Sequence, residues 1–233
     1  MTELQRRTDR INNSPITSPN VAEGDLPASR LADDLYFVMH DDVTGRGRIH
    51  PRLTGLGLAA AILGELMLAG RVTVRLVPGQ IQLAVVDPAE TGDAPTQFAL
   101  DHIQAEPTHP VGTWLLFLAR TAHADIAARM TEAGLLHPPG RRLLAKQVQA
   151  PVAANTAAWP VGRLNLAIER RQPLRMQDGV LFGLIVATGG GQLVLWDANP
   201  RYLRESLAAL PETLQQLIAQ TEAACGDAVI SRR

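Results

Sequence analysis

The longest apolar pattern in the chain is LTGLGLAAAILGELMLAG, Leu53 to Gly70, where small and large apolar residues fill every helical face and Glu65 is the only charge. Its length reaches that of a bilayer span, but the charge and the Gly/Ala content fit a helix buried in protein, over about residues 54–69. Gly70 closes that helix, and VTVRLVPGQIQLAVVD (72–87) alternates around Pro-Gly, the pattern of a β-hairpin. Upstream, LADDLYFVMHDD from Leu31 predicts a short helical turn or strand. It runs into Asp42-Val43-Thr44-Gly45, where Asp bends the chain and Gly accepts positive φ. The segment PAETGDAPTQ predicts a loop. Helical spacing returns in FALDHIQAE, then as one helix through TWLLFLARTAHADIAARMTEAGLL with Gly134 at its end, and again near 155–170, 178–188 and 200–224. Between these, HPPGRRLLAKQVQAPVAAN carries a Pro-Pro-Gly turn and short alternating runs, which predict a second hairpin or wing.

Residues 1–29 are rich in Asn, Ser, Pro and Thr without apolar periodicity, and such a segment cannot offset the entropy of ordering; a disordered tail is expected there. One domain is expected over residues 30–225 and a C-terminal tail over 226–233. The fold class that follows is mainly α: a single helical domain with small β-hairpins, one of them protruding and both apolar and basic.

Composition adds a location for charge. The 233 residues are 46% hydrophobic and 19% charged, enough for a packed core, and the formal net charge is -1. Between Arg120 and Arg175, however, eight arginines and Lys146 face only Asp125, Glu132 and Glu169. A basic middle in a near-neutral chain points to a local anionic partner rather than to general nucleic-acid affinity. Lys146 is the one lysine, a bias of the kind GC-rich coding produces, so arginine counts alone carry little weight. Cys225 has no partner for an internal disulfide, and no charged n-region followed by an apolar h-region opens the chain, so a cytoplasmic protein is expected.

The residue types that do chemistry crowd into HDDVTGRGRIHPR, His40 to Arg52. His40 and His50 lie across a Gly-rich turn with no HxxxH or CxxC partner, so no metal is expected; Asp41 and Asp42 fit solvated turn acids. No GxSxG elbow is present, Cys225 has no local His, and ATGGGQL lacks the Lys-Ser/Thr of a phosphate loop. A catalytic site and a cofactor are therefore not expected, and the chain is not an enzyme on this basis. In ARTAHADIAARM, Arg120 and His123 are three apart and share a face of the expected helix, with Leu116, Ile126 and Met130 turned to the core. That face could grip a phosphomonoester or simply be solvated. Arg141, Arg142 and Lys146 flank Leu143 and Leu144, a mixture that suits an anionic membrane interface or, equally, the wing of a winged-helix nucleic-acid or protein-interaction module.

Taken in order, LADDLYFVMHDDVTGRGRI, the helix ending GELMLAGRVTV, ARMTEAGLL and DGVLFGLIVATGG resemble the bacterial branch of the Golgi phosphoprotein 3 family over about residues 30–222, most specifically in ELxLxGR, Glu65 to Arg71. The resemblance implies a peripheral membrane protein that recognises phosphatidylinositol 4-phosphate and inserts a hairpin into the bilayer. It places the family's pocket tryptophan at His50, its apolar-helix arginine at Ala59 and its RxxR pair at Arg120 and His123; of these only Arg120 keeps the family residue. The headgroup site implied is His50, Arg120, His123 and Arg52, with Arg46 and Arg48 as outer contacts. The membrane hairpin implied is Arg141, Arg142, Leu143, Leu144 and Lys146. The expected partner is an anionic phospholipid surface and not a nucleic acid. Protein partners are unidentified and a homo-oligomer is left open.

Overall fold

The computed structural model describes residues 30–140, 148–195 and 199–231. The chain is mainly α with one two-stranded antiparallel sheet among those residues. In order the elements are α1 (Leu31–Met39), α2 (Pro51–Leu68), β1 (Val72–Val77), β2 (Gln80–Val85), α3 (Ala94–Ala105), α4 (Val111–Leu118), α5 (Ala122–Glu132), α6 (Ala154–Glu169), α7 (Met176–Ala187), α8 (Gly191–Val194), α9 (Pro200–Ala208) and α10 (Glu212–Ile230). The expected tail over 1–29 and the hairpin residues 141–147 lie outside the described residues.

Helix α2 is the centre. It packs against α1, α3, α4, α5, α7 and α10, and twelve of its residues are buried. Small residues make this possible, because a neighbour can approach only where no side chain intervenes. A Cβ on Gly57 would lie 2.5 Å from the Met39 methyl, and one on Gly64 2.7 Å from Leu31. Among the described residues α2 is the one helix long and apolar enough to cross a membrane, yet 67% of it is buried inside the protein. Glu65, its one acidic residue, meets a buried guanidinium.

The hairpin forms at the expected place, with register Val72↔Val85 through Val77↔Gln80 closing on Pro78-Gly79. Elsewhere the structure corrects the pattern. LADDLYFVM is a helix whose nine residues are all buried. The helix expected from FALDHIQAE begins earlier, at Ala94, because the Asp93 carboxylate accepts from the Thr96 amide and Pro95 needs no hydrogen-bond partner in the first turn. The single helix expected over 113–136 breaks at 119–121 into α4 and α5, so Arg120 sits in a corner and does not share a helix face with His123. Ile126 and Met130 are buried as expected, but Leu116 is 52% exposed. The helix expected over 200–224 divides at Pro211, which disfavours helical backbone in Leu210, and α10 continues through residues 226–230, burying Ala228.

The described stems of the expected wing make an isolated bridge between Leu136 and Pro151, supported by His137 N–H to Ala150 O at 2.9 Å and Val152 N–H to Leu135 O at 3.0 Å. The turn after α1 packs on the returning stem. Gly45 has φ +69, and a Cβ there would fall 2.1 Å from the Gln149 carbonyl oxygen. A side chain would meet both a left-handed backbone and a backbone collision, so Gly45→Ala is expected to destabilise the fold by about 2 kcal/mol or more. The urea midpoint checks this, and an unchanged midpoint would show that the turn does not pack against residue 149.

Candidate functional site

Three elements meet at the expected headgroup site: the end of α1, the start of α2 and the α4–α5 corner. His50 is the N-cap of α2, its Nδ1 accepting the Arg52 N–H at 3.2 Å. That nitrogen must carry a lone pair, so in the neutral ring the hydrogen is on Nε2. One turn on, Gly55 lies against the carbonyl of Ala119, where a Cβ would come within 2.8 Å. The absence of a side chain there is what brings the first turn of α2 up to the corner bearing Arg120. Arg120 is exposed, and no described residue hydrogen-bonds or ion-pairs with its guanidinium. His123, near the start of α5, is exposed, and its Nε2 lies 3.1 Å from Nε2 of the buried His40. His40 Nδ1 donates to the Tyr36 carbonyl at 2.7 Å, and its ring stacks on Tyr36 with centroids 4.1 Å apart.

The intervening turn is more ordered than a row of solvated acids. Asp41 Oδ1 accepts from the amides of Val43 and Thr44 and from the Thr44 hydroxyl, and these hydrogen bonds lower the Asp41 pKa, the Thr44 amide most of all. Asp42 pairs with Arg48 at 3.3 Å, and Arg48 Nε donates to the His40 carbonyl at 2.9 Å. Arg48 is thus engaged within the turn, whereas Arg46 and Arg52 are exposed on it. Ala59, at the family's second arginine position, is fully buried. Of the expected residues, the structure places His50 and Arg52 at the start of α2 and Arg120 and His123 at the α4–α5 corner, with Gly55 against Ala119 and His40 against His123 as the contacts between the elements, and Arg141, Arg142, Leu143, Leu144 and Lys146 lie outside the described residues. Exposed apolar side chains border this region: Leu116 precedes Arg120 by four residues, and Val43, Val148 and Val152 belong to the turn and the paired stems.

A second constellation went unnoticed in the sequence. Arg129 of α5, 10% exposed, binds Asp33 of α1 at 2.6 Å, Glu65 of α2 at 3.0 Å and Asp93 at the start of α3 at 3.0 Å. Arg30 also pairs with Asp93, and Glu65 accepts the Ala32 amide at 2.8 Å, so the α2 carboxylate caps α1. Asp34 turns the other way, to Arg163 of α6 at 2.6 Å, and Arg163 also holds Asp178 of α7 at 2.8 Å. Legible signals existed: Arg129 falls on the buried stripe of α5, three residues from Ile126, and two aspartates open a helix with no other charge.

Burial pushes the Asp33 carboxyl up to about 6, against the pull of Arg129. For Asp93 burial acts in the same direction, but the Thr96 hydroxyl and Arg129 outweigh it and hold the carboxyl below its ordinary range. Asp33 therefore binds a proton on folding between its ordinary 3.8 and about 6. Its contribution to stability is complete below that window and is lost as pH rises through the folded value. Asp33→Asn is expected to flatten the pH dependence of the urea midpoint across the window, and an unaltered slope would refute the shifted carboxyl.

Two grooves adjoin this cluster and share Arg30 and Asp93: one of about 620 Å³ between the start of α3 and α5, one of about 420 Å³ over Leu66 and Ala69. A third, about 1170 Å³, runs between α6 and α9. His50, Arg120 and His123 line none of the three; they form an exposed corner. Among the described residues no group of three or more His, Cys, Asp or Glu is placed to hold a metal. Cys225 is buried, which pushes its thiol up to about 11 and keeps it protonated.

The family model described as Golgi phosphoprotein 3 (GPP34) matches residues 31–229, from the first residue of α1 into the last turn of α10. No curated protein matches the chain significantly.

Proposed function

The chain belongs to the Golgi phosphoprotein 3 family, and from that premise we propose that it is a non-enzymatic, reversible membrane-surface protein that binds a phosphomonoester-bearing phospholipid headgroup of the phosphatidylinositol 4-phosphate kind. The observation that carries this is Arg120, an exposed guanidinium without a protein partner among the described residues, set at the meeting of two helix N-termini. The positive ends of α2 and α5 favour an anion there, and a guanidinium binds phosphate through paired charge-assisted hydrogen bonds. His123 and His50 supply further donors.

The exposed Leu116, Val43, Val148 and Val152 support the second half of the proposal. A headgroup contact alone does not hold a protein on a bilayer, and apolar side chains entering the acyl boundary beside it supply the additional term. In sequence, residues 141–147 carry two leucines among three cations. A winged-helix reading of α4, α5 and the paired stems gains no support from charge: on α5, Asp125 and Glu132 are the outward charges and Arg129 is turned inward.

Co-sedimentation with vesicles tests the proposal. Phosphatidylcholine vesicles carrying phosphatidylinositol 4-phosphate are expected to retain the protein, and phosphatidylcholine alone is not. Equal retention on both, or a salt-steep gel shift of DNA without lipid binding, would overturn it.

A further inference from the structure

Charge vanishes from the chain between Lys146 and Arg163: the sixteen residues from Gln147 to Gly162 carry none. Much of the run is nevertheless at the surface. Val148, Val152, Asn155, Thr156 and Gly162 are exposed, and Trp159 is 53% exposed. A helix face turned to water is ordinarily rich in charge, as α9 is with Arg201, Arg204 and Glu205. Helix α6 holds to the body of the protein through one stripe, Ala157, Pro160, Leu164 and Ile168, which are buried at helical spacing. At about 100° per residue, Trp159 lies opposite that stripe.

The direction of α6 decides where this tryptophan points. The stem before it packs on the turn that follows α1, Gln149 against Gly45. Further along, Arg163 reaches Asp34 in the first turn of α1 at 2.6 Å. Helix α6 therefore runs back along α1, and its first turn lies at the end of α1 that carries the 41–48 turn. Side chains on a helix lean toward its N-terminus, so the Trp159 indole covers the turn before it and faces that same end. Leu166, also exposed, sits about 10 Å farther along the axis.

We infer that the protein stands end-on at an anionic membrane, with the first half of α6 at headgroup level, Trp159 as an interfacial anchor and the second half of α6 in water. This rests on the membrane half of the proposal above and adds the orientation. An indole suits that layer, since its apolar body enters the boundary while its N–H finds a headgroup or water oxygen. The surface is continuous with Val148 and Val152, and the missing charges remove the cost of desolvating them there.

Tryptophan fluorescence of the full chain on vesicles tests the orientation. Trp196, outside the described residues, is replaced by Phe, which leaves Trp159 and the buried Trp114. The vesicles are phosphatidylcholine carrying phosphatidylinositol 4-phosphate, with or without bromine on the phosphatidylcholine chains near the headgroup. Trp159 is expected to shift its emission to the blue on binding and to lose intensity in the brominated vesicles. Trp159→Phe, with Trp114 alone, is expected to show neither change. In that background Leu166→Trp is expected to bind without quenching. Trp159→Ala is expected to weaken vesicle binding about tenfold, as for one aromatic side chain withdrawn from an apolar contact. A bound protein whose Trp159 is not quenched overturns the inference, and a protein partner seated on α6 would give that result. Wild-type binding by Trp159→Ala also overturns it, and quenching of Leu166→Trp as strong as that of Trp159 would mean that α6 lies flat. Arg120→Ala separates this from the headgroup contact. If it binds as the wild type does with Trp159 still quenched, the headgroup contact fails and the orientation stands; if it loses binding while Trp159 of the bound Arg120-containing protein is unquenched, the orientation alone fails. Absence of binding to any vesicle overturns both.

Discussion

Arg129→Ala is expected to lower the stability of the folded chain by about 3–5 kcal/mol, a fall in Tm on the order of 10 °C for a domain of this size. The guanidinium is 10% exposed and neutralises carboxylates from three separate helical elements, Asp33, Glu65 and Asp93. Burial alone would lower the Arg129 pKa, but hydrogen bonds and charge from Glu65, then Asp33, raise it, so the cation is held firmly. Removing it leaves three acids facing one another in a desolvated site, with Arg30 on Asp93 as the remaining cation. The loss should therefore shrink toward acid pH, as Asp33 and its neighbours take up protons. Urea denaturation at about pH 5 and about pH 7.5 reads both effects, since carboxylates that lose their cation must protonate to stay buried. A loss below about 1 kcal/mol, the range of exposed pairs, would mean that the cluster is solvated in solution.

Arg120→Ala should behave in the opposite way. Its guanidinium has no described partner, so stability is expected to stay within about 0.5 kcal/mol of the wild type. Binding to vesicles carrying phosphatidylinositol 4-phosphate should weaken ten- to a hundredfold, because losing one charged donor commonly costs about 1.5–3 kcal/mol. The contrast between two arginines nine residues apart separates a structural cation from a binding one. Full-strength binding by Arg120→Ala, measured on a folded protein, would remove the headgroup site from this corner.

The helices and the hairpin were legible because their patterns are long or tightly punctuated. Leu53 to Gly70 is apolar on every face, which suits a helix packed from all sides, and Pro78-Gly79 marks its own turn. The corner at 119–121 was not legible from periodicity, since FLARTAH lacks glycine and proline and the apolar spacing runs straight through it. What breaks the helix is tertiary: Ala119 docks on Gly55 and His123 on His40. Thr121, an N-cap residue type with Asp125 in the following turn, was the local trace of it. Arg120 lies within that break and His123 just after it, so the two do not share a helical face, while His50 and Arg52 open α2.

The Glu65-to-Arg71 stretch that most specifically carries the family resemblance has a structural explanation. Glu65 caps α1 and binds Arg129, Gly70 takes left-handed backbone at the helix end, and Arg71 pairs with Asp87 beside the hairpin. None of these groups belongs to the headgroup corner. A motif that identifies the fold need not contain the binding residues, because the buried ionic contacts of α1, α2, α3 and α5 constrain sequence as strongly as a ligand does.

The most direct measurement is the position of the phosphate in a structure of the full chain with glycerophosphoinositol 4-phosphate, the soluble headgroup. The account places its phosphate oxygens within hydrogen-bond distance of the Arg120 guanidinium, with the His123 ring beside them. A phosphate lodged in the groove between α3 and α5, or between α6 and α9, with Arg120 untouched, would contradict it.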